Sequence, residues 1–364
     1  MIRDILEHVS RGHDLSRDQA YQSMNEIMSG QWTPSQIAGL LMGLKMKGET
    51  IDEITGFVSA MRHKAVPVSA PGRVVDTCGT GGDGTHSFNI STAAALVVAA
   101  AGIPVAKHGN RSVSSSCGSA DVLQELGVKI DLDAEAARKC LEQTGIVFLF
   151  APIYHASMKF AVTPRREMGI KTVFNILGPM LNPANVKRQI IGAFNPDIAE
   201  KIAHVLKNSG SEHVLVFCSE DGMDEISISH TTHMIELKDG NIRRFDIEPE
   251  DFGFRRFPFD AVRGGDCKQN ARMIRETLQG KPGPAHTITA LNAGAAIYVA
   301  GQGVFTGGRR SSGGDHFAFR KGIPKIAGIC GGFSFVNVWR KKMAANSRMD
   351  CIEIMPTNFR NGLR

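Results

Sequence analysis

Apolar residues recur at helical spacing through the first sixty-odd residues of the chain. Four of them fall on one face of a predicted helix, namely Ile37, Leu40, Leu41 and Leu44. Helix starts are indicated by capping residues, which are Ser16 with Gln19, Thr33 with Pro34, and Thr50 with Glu53. The pattern predicts a small helical unit whose apolar stripe needs a partner surface, either the rest of the chain or a second subunit.

From residue 73 onward, short apolar strands alternate with helices. The predicted strands cover residues 74–75, 103–106, 146–150 and 214–217, and an alanine-rich helix covers residues 91–101. This alternation predicts an α/β fold with a central, mainly parallel sheet flanked by helices. Ligands bind such sheets at the carboxyl ends of the strands, so the loops that follow the strands are the candidate site.

Composition and charge narrow the class of protein. The longest uncharged apolar run is too short to span a bilayer, so no membrane contact is expected. Residues 301–364 hold 11 Lys and Arg against 3 Asp and Glu, so the whole net charge of +6 comes from this end of the chain. Because the rest of the chain has no excess of basic residues, a nucleic-acid partner is not expected. Seven cysteines without C-x-x-C spacing predict a reducing, cytoplasmic location rather than a disulfide framework.

A glycine-rich loop follows the first predicted strand. Gly79, Gly81 and Gly84 have the G-x-G-x-x-G spacing of dinucleotide-binding loops. That interpretation requires an acidic residue about twenty positions later, and residues 89–110 contain no Asp or Glu. No Gly-Lys-Ser/Thr follows either, which excludes an ATP-type phosphate loop. The glycines alone therefore fit a phosphate site and a simple connecting turn equally well.

The segments around this loop favour a phosphate site. Asn89, Ser91 and Thr92 place small polar groups at a predicted helix start, where peptide dipoles stabilise an anion. The segment KHGNR at 107–111 brings two cations and a carboxamide after the next predicted strand, and residues 114–119 are rich in hydroxyl groups. Three consecutive segments of this kind predict a polyphosphate-binding site at one sheet edge.

Two adjacent carboxylates follow a later strand. Asp224 and Glu225 lie in a polar loop, where such pairs are usually only solvated. Beside a polyphosphate they become candidate Mg²⁺ ligands, because Mg²⁺ takes a few carboxylates together with waters and substrate phosphates. Asp83 is a further candidate, either for the metal or for a sugar hydroxyl.

These segments, taken in order, resemble the anthranilate phosphoribosyltransferase family of tryptophan biosynthesis. The resemblance covers roughly residues 3 to 300. It rests on GTGGD at 79–83, NIST at 89–92, KHGNR at 107–111, GSADVL at 118–123, PRREMG at 164–169, FNILGPMLNPA at 174–184, MDEIS at 223–227 and GGD at 264–266 followed by Asn270 and Ala271. The family implies transfer of phosphoribose from 5-phosphoribosyl 1-pyrophosphate to the amino nitrogen of anthranilate, with Mg²⁺ as cofactor.

The resemblance also implies site residues. Those for 5-phosphoribosyl 1-pyrophosphate are Gly79, Gly82, Asp83, Ser87, Asn89, Ile90, Ser91, Thr92, Lys107, Ser115, Ser116 and Ser119. Those for anthranilate are Gly79, His108, Asn110 and Arg165, with His108 also considered as a proton acceptor. The metal ligands are Ser91, Asp224 and Glu225.

The implied domains are a small, largely N-terminal helical domain and a larger α/β domain. Residues 1–70, joined by part of about 165–190, form the helical domain and the contact of a homodimer. Residues 71–300 form the α/β domain. Residues 301–364 depart from the family, because they are rich in Gly and Arg and lack a helical apolar period. This composition predicts a frame-shifted or poorly ordered segment.

Two alternatives remain open from the sequence. A pyrimidine nucleoside phosphorylase has the same fold and a glycine-rich phosphate loop, although KHGNR and the Asp224–Glu225 pair favour pyrophosphate with a metal. A nucleic-acid-binding relative without enzymatic activity is suggested only by the basic residues 301–364.

Overall fold

The computed structural model describes residues 2–70, 72–112 and 116–302. Four helices form its beginning: α1 (Ile2–Ser10), α2 (Arg17–Met28), α3 (Pro34–Lys47) and α4 (Ile51–Lys64). The side chains of Ser16, Thr33 and Thr50 cap α2, α3 and α4, each in a reciprocal capping box. The helix starts predicted from these residues are therefore confirmed, and the predicted stripe of α3 is buried.

A seven-stranded sheet forms the centre of the α/β part. Its strands are β1 (Val75–Gly79), β2 (Val105–Gly109), β3 (Ile146–Phe150), β4 (Arg188–Gly192), β5 (His213–Ser219), β6 (Thr232–Lys238) and β7 (Asn241–Ile247). The spatial order is β3-β2-β1-β4-β5-β6-β7. The pairs from β3 to β5 are parallel, while β6 and β7 add antiparallel strands at one side. The predicted α/β fold with a mainly parallel sheet is confirmed.

Helices connect the strands and cover both faces of the sheet. They are α5 (Ile90–Ala100), α6 (Ser119–Glu125), α7 (Ala134–Thr144), α8 (Ala151–Tyr154), α9 (Lys159–Met168), α10 (Phe174–Leu177), α11 (Pro196–Asn208), α12 (Cys267–Leu278) and α13 (Pro284–Val299). Within residues 2–302 and outside the gaps, no helix is long and apolar enough to cross a membrane.

Side chains that alternate along a strand of the sheet pack into two different hydrophobic cores. Leu215 and Phe217 of β5 pack with α5, α12 and α13, whereas Val214 and Val216 pack with α4 and α11. This two-residue period is what a strand buried on both faces requires. The second core continues into α1–α4 and α10, so the helical part and the sheet share buried apolar surface.

The segment between β3 and β4 returns to the helical part. Helix α9 packs on α2 and α3, and the Arg62 side chain of α4 donates to the Met180 carbonyl at 2.8 Å. Residues that are distant in sequence therefore join α1–α4 in one packed unit. The same segment also carries Arg165 in α9, whose guanidinium lies 5.1 Å from the ring centroid of Phe174 in α10.

Strand boundaries differ from the predicted ones in an informative way. Residues 146–150 form β3 as predicted, but β2 begins two residues later than predicted and extends through Lys107 and His108. Charged and polar residues are poor indicators of a buried strand, and here they lie inside it. Of the predicted segment 301–364, only Gly301 and Gln302 fall within the described residues.

Candidate active site

The parallel register brings four strand ends to one edge of the sheet. Gly79 of β1 pairs with Gly192 of β4, and Gly109 of β2 pairs with Phe150 of β3. The loop that leaves β1 has positive φ at Gly81, Gly82 and Gly84, a conformation that side chains disfavour. This loop is the starting point of the candidate site.

Asp224 lies directly against the glycine loop. Its Oδ2 accepts a hydrogen bond from Gly81 N–H at 2.7 Å. A β-carbon on Gly79 would lie 2.3 Å from the same oxygen, and one on Gly192 would lie 1.6 Å from the Asp224 carbonyl oxygen. The two strand-end glycines therefore make room for Asp224, Gly79 for its carboxylate and Gly192 for its backbone.

Glu225 reaches the start of α5 on the other side of the loop. Its Oε1 accepts a hydrogen bond from Ser91 N–H at 3.0 Å. The two adjacent carboxylates thus contact the two segments that the sequence proposed as one phosphate cradle. Asp83 is also close, since its Oδ2 accepts from Asp224 N–H at 3.4 Å.

Lys107 approaches the same place from inside the sheet. Its side chain is only 3% exposed, and Nζ donates to the Thr77 carbonyl and to Ser91 Oγ, the latter at 3.2 Å. A buried ammonium group is costly unless it is paired or hydrogen-bonded. Its position beside Ser91 lets it act on an anion bound at the start of α5.

Asp76 of β1 interacts with Lys107 and His108 of the neighbouring strand β2. It is fully buried, and its carboxylate accepts hydrogen bonds from His108 N–H at 3.2 Å and from Asn182 Nδ2 at 2.8 Å. Burial raises the pKa of Asp76 to about 6, although Lys107 and these hydrogen bonds oppose the shift. Asn182 Nδ2 also donates to the Ala106 carbonyl at 2.8 Å, so the amide ties β2 to the loop before β4.

His108 and His155 form a buried pair. Their ring centroids lie 5.2 Å apart, and His155 Nε2 lies 2.9 Å from the Leu181 carbonyl oxygen. Burial, with the neighbouring His155, lowers the pKa of His108 to about 3. The imidazole is therefore neutral at physiological pH, and its Nε2 is buried without a hydrogen-bond partner in the described part of the chain.

The pKa values of Asp224 and Glu225 are shifted in the direction expected of carboxylates that bind a cation. Burial raises the pKa of Asp224 to about 7, with repulsion from Asp83 adding to the shift. Burial and the charge of Asp224 also raise the pKa of Glu225. Among the described residues, no three Asp, Glu, His or Cys side chains form a ready cage. This donor set fits Mg²⁺, which retains waters and takes phosphate oxygens from its substrate.

The hydroxyl-rich segment is tied to α5 and α12 by amide side chains. Asn89 Nδ2 donates to the Cys117 carbonyl at 3.0 Å, and Asn270 Nδ2 donates to Asn89 Oδ1 at 3.1 Å. Ser119 Oγ donates to the Asn110 carbonyl at 3.1 Å at the start of α6. These contacts place the ends of the 107–119 connection beside the start of α5.

Comparisons with known proteins agree with this geometry. Residues 71–307 match the a/b domain of the glycosyl transferase family, and residues 3–65 match its helical bundle domain. The chain is 50% identical over 303 residues to the anthranilate phosphoribosyltransferase of Geobacillus kaustophilus, which spans 83% of this chain and 89% of that relative. It is 51% identical over 300 residues to that of Rhodopseudomonas palustris, with 82% and 89% covered.

The chain belongs to the anthranilate phosphoribosyltransferase family. Solved structures show the same fold. The anthranilate phosphoribosyltransferase of Thermus thermophilus matches with a TM-score of 0.83 at 34% identity, over 95% of this chain and 100% of that one. The Saccharomyces cerevisiae enzyme, solved in complex with PRPP (5-phosphoribosyl 1-pyrophosphate) and Mg, matches with a TM-score of 0.82 at 22% identity, over 96% of this chain and 98% of that one.

The structure groups most of the residues that the family resemblance implied. Gly79, Asp83 and Ser91 surround Asp224 and Glu225. Ile90 and Thr92 lie in the first turn of α5, where Thr92 Oγ1 is buried without a partner among the described residues. Ser87 forms an isolated antiparallel β-bridge with Arg263, and Gly82 belongs to the glycine loop. Ser116 is exposed, and Ser115 lies outside the described residues.

Two of the expected anthranilate contacts are less closely grouped. Arg165 in α9 is partly buried and its guanidinium lies 5.1 Å from the Phe174 ring centroid. Burial lowers the pKa of Arg165, and no carboxylate pairs with it in the described ranges. Asn110 is exposed and its Oδ1 accepts from Arg111 N–H at 2.8 Å. Arg165 shares no hydrogen bond with Asn110 or His108 among the described contacts.

Both cations of the segment 107–111 have partners within the protein, because Lys107 lies inside β2 and donates to Thr77 and Ser91, and Arg111 pairs with Asp121 at 2.5 Å. One sequence prediction is wrong. The cysteines were expected to be free, yet Cys117 and Cys267 form a disulfide. Their separation of 150 residues gave no local spacing from which the pairing could be inferred.

Asp76 and Asn182 were missed by the sequence analysis as supporting residues. Asp76 is the second residue of β1, which ends at Gly79, and Asn182 lies inside the quoted FNILGPMLNPA segment. Their partner residues come from β2, about 30 and 75 positions away in sequence, so periodicity could not connect them. An acidic residue inside an apolar strand was the only available signal.

Proposed function

We propose that this chain catalyses the reaction of its family. It transfers the phosphoribosyl group of 5-phosphoribosyl 1-pyrophosphate to the amino nitrogen of anthranilate, and releases pyrophosphate. The observation that carries the proposal is the convergence of Asp224, Glu225 and Lys107 on the glycine loop and on Ser91. This arrangement combines cation ligands, a buried ammonium group and helix N–H donors around one anion site.

Asp224, Glu225 and Ser91 would hold Mg²⁺, as their donor chemistry allows. When held there, Mg²⁺ would supply positive charge beside the departing pyrophosphate. The buried like-charged carboxylates Asp224 and Glu225 support this assignment, since a cation removes their repulsion. The Saccharomyces cerevisiae relative is solved with PRPP and Mg, which adds support from the same fold.

The side chains of this chain supply positioning and charge. Cleavage of the anomeric C–O bond leaves positive charge on the ribose and negative charge on pyrophosphate. Lys107 and the N–H groups at the start of α5 stabilise the latter. Anthranilate brings its own nucleophile, the amine, so the protein needs no activated serine or cysteine.

Arg165 and His108 would contact anthranilate. The Arg165 guanidinium can bind the anthranilate carboxylate through two parallel hydrogen bonds. His108 is neutral, because its pKa is lowered to about 3, and so it orients the substrate through a hydrogen bond rather than taking a full proton. Asn110 and Gly79 would complete this part of the site.

The active form that we propose is a homodimer through the helical part. Met42 and Met46 of α3 are 42% and 81% exposed, and Phe160 and Val162 of the adjacent α9 are 36% and 51% exposed. Several large exposed apolar side chains on two helices that pack together are typical of a subunit contact. Met46→Glu should yield monomers in sedimentation velocity, while the wild type sediments as a dimer.

The domain boundaries at 1–70, 71–300 and 301–364, the additional helical residues near 165–190, and a cytoplasmic location remain proposals. The match of residues 3–65 to a helical bundle domain and of 71–307 to an a/b domain supports the first boundary.

An assay of anthranilate consumption with 5-phosphoribosyl 1-pyrophosphate and Mg²⁺ tests the function. We expect turnover by the wild type that a chelator abolishes, and a loss of about 100-fold or more in Asp224→Asn, because one site carboxylate is removed. Glu220→Gln is the control, since Glu220 is an exposed acid of the same loop. Phosphorolysis of thymidine without anthranilate turnover would contradict the proposal and favour the phosphorylase alternative.

A further inference from the structure

Lys171 links the connection between α9 and α10 to the glycine loop. Its Nζ donates a hydrogen bond to the Gly82 carbonyl oxygen at 2.6 Å. The same Nζ lies 4.2 Å from the centroid of the Phe194 ring, so the ammonium is held between a carbonyl and an aromatic face. An exposed lysine normally samples many rotamers, and two simultaneous partners restrict this one.

The Gly82 carbonyl is one of three consecutive anchors of the loop. Thr80 N–H donates to the Gly192 carbonyl at 2.9 Å, and Gly81 N–H donates to Asp224 Oδ2 at 2.7 Å. Lys171 supplies the third anchor. Each anchor comes from a different segment, so the loop is fixed from β4, from the carboxylate loop and from the α9–α10 connection.

The third anchor matters because glycines do not hold their own conformation. Gly81, Gly82 and Gly84 have φ of +66°, +69° and +74°, and glycine reaches many other conformations at little cost. A trans peptide is planar, so fixing the Gly82 oxygen also fixes the direction of the following N–H, that of Asp83. A β-carbon at Gly82 would lie 3.4 Å from Lys171 Cε, which shows how closely the side chain covers this peptide.

We propose that Lys171 is a positioning residue for 5-phosphoribosyl 1-pyrophosphate, which holds the glycine loop in its binding shape through the Gly82 carbonyl. The proposal rests on the function proposed above. Neighbouring parts of the chain would then serve both substrates, because α9 carries Arg165 for anthranilate and the connection that follows it carries Lys171 for 5-phosphoribosyl 1-pyrophosphate.

Four variants and two measurements test the role. Lys171→Met removes the donor, Lys171→Arg keeps it, and Phe194→Leu removes the aromatic face. Lys159→Met is the matched control, because Lys159 is also exposed and lies 5.1 Å from an aromatic ring, that of Phe160, without contacting the loop. The measurements are steady-state kinetics for both substrates, and hydrogen exchange of the peptide containing residues 79–84 in the substrate-free protein.

In Lys171→Met we expect faster exchange of residues 79–84 and a KM for 5-phosphoribosyl 1-pyrophosphate raised about tenfold, equivalent to roughly 1.4 kcal/mol. The KM for anthranilate and the melting temperature should stay within error of the wild type. Lys171→Arg should have a KM for 5-phosphoribosyl 1-pyrophosphate and an exchange rate close to those of the wild type. Both quantities should be intermediate in Phe194→Leu and unchanged in Lys159→Met.

Unchanged exchange and unchanged KM in Lys171→Met would overturn the proposal. Unchanged exchange with a raised KM would also overturn it, because Lys171 would then contact the phosphates directly instead of positioning the loop. A wild type without turnover would refute the proposed function, while the exchange measurement would still decide whether Lys171 holds the loop.

Discussion

Asp224 lies where a β-carbon on Gly79 would be, with Oδ2 only 2.3 Å from that position. Opposite, a β-carbon on Gly192 would lie 1.6 Å from the Asp224 carbonyl oxygen. The two glycines are register partners at the ends of β1 and β4. One faces the movable end of the Asp224 side chain and the other faces its rigid backbone, so the same substitution has two different consequences.

Gly79→Ala should leave the protein folded and remove most of its activity. The new methyl group displaces the end of the Asp224 side chain, which can rotate at small cost, but the carboxylate then leaves its place beside Gly81. A displacement of about 1 Å in a catalytic group lowers rates by roughly 100-fold. Circular dichroism checks that the variant is folded, and the turnover assay checks that its activity is lost.

Gly192→Ala provides the contrast, since its methyl group meets backbone and should lower the melting temperature sharply. Gly39→Ala in α3 is the benign control, because its β-carbon would make only ordinary contact with Leu6, at 3.7 Å. Full activity in Gly79→Ala would show that Asp224 does not need its present position.

His108 should make the protein sensitive to acid. Its pKa is about 3 in the folded protein and about 6.5 when unfolded, so between these values the unfolded chain binds the extra proton. The stability that the neutral ring contributes is present above pH 6.5 and is lost as pH falls towards 3. At pH 5 the loss relative to pH 8 is roughly 2 kcal/mol.

Denaturant unfolding of wild type and His108→Gln at pH 8 and pH 5 checks this prediction. The variant should lose about 2 kcal/mol less than the wild type over this range. His13→Gln is the control, because His13 is exposed. Burial also lowers the pKa of His155, which both proteins retain, so only the difference between them reports His108. Equal losses in all three proteins would contradict the prediction.

The fold was largely predictable because its signals are local. Capping boxes at Ser16, Thr33 and Thr50 and the short apolar strands each need only a few neighbouring residues. The boundary of β2 was not predictable, because the burial of Lys107 inside the strand depends on residues outside it, namely the hydrogen-bond acceptors Thr77 and Ser91 and the nearby Asp76 carboxylate.

The site was predictable as a set of segments but not as a geometry. The motifs of the resemblance named Asp224, Glu225 and Ser91, and the structure adds which atoms meet. Contacts such as that of Lys171 with Gly82, 89 residues apart, depend on how the fold brings the α9–α10 connection to the glycine loop. No periodicity or spacing in the sequence encodes such a contact.

Reduction of the Cys117–Cys267 disulfide should destabilise the protein. The bond joins the segment before α6 to the first residue of α12 across 150 residues of sequence. A cross-link over so long a loop restricts the unfolded chain, and its loss typically costs roughly 2 to 5 kcal/mol. The melting temperature should therefore fall when a phosphine reductant is added.

The double variant Cys117→Ala with Cys267→Ala is the control, and the reductant should not change its melting temperature. A non-reduced digest analysed by mass spectrometry should contain the two cysteine peptides as one linked species. Separate peptides from protein purified without reductant would contradict the prediction and restore the expectation of free cysteines.

Arg165→Lys should weaken anthranilate binding selectively. Arg165 is partly buried, stacks 5.1 Å from the Phe174 ring centroid and has no carboxylate partner among the residues that the structure describes. Lysine keeps the charge but loses the planar fork that binds a carboxylate through two hydrogen bonds and stacks on a ring. We expect the KM for anthranilate to rise about tenfold, equivalent to roughly 1.4 kcal/mol, with little change for 5-phosphoribosyl 1-pyrophosphate. The adjacent Arg166→Lys should behave as wild type, because Arg166 is exposed. Equal effects of the two substitutions, or a KM change confined to the other substrate, would remove Arg165 from the anthranilate site.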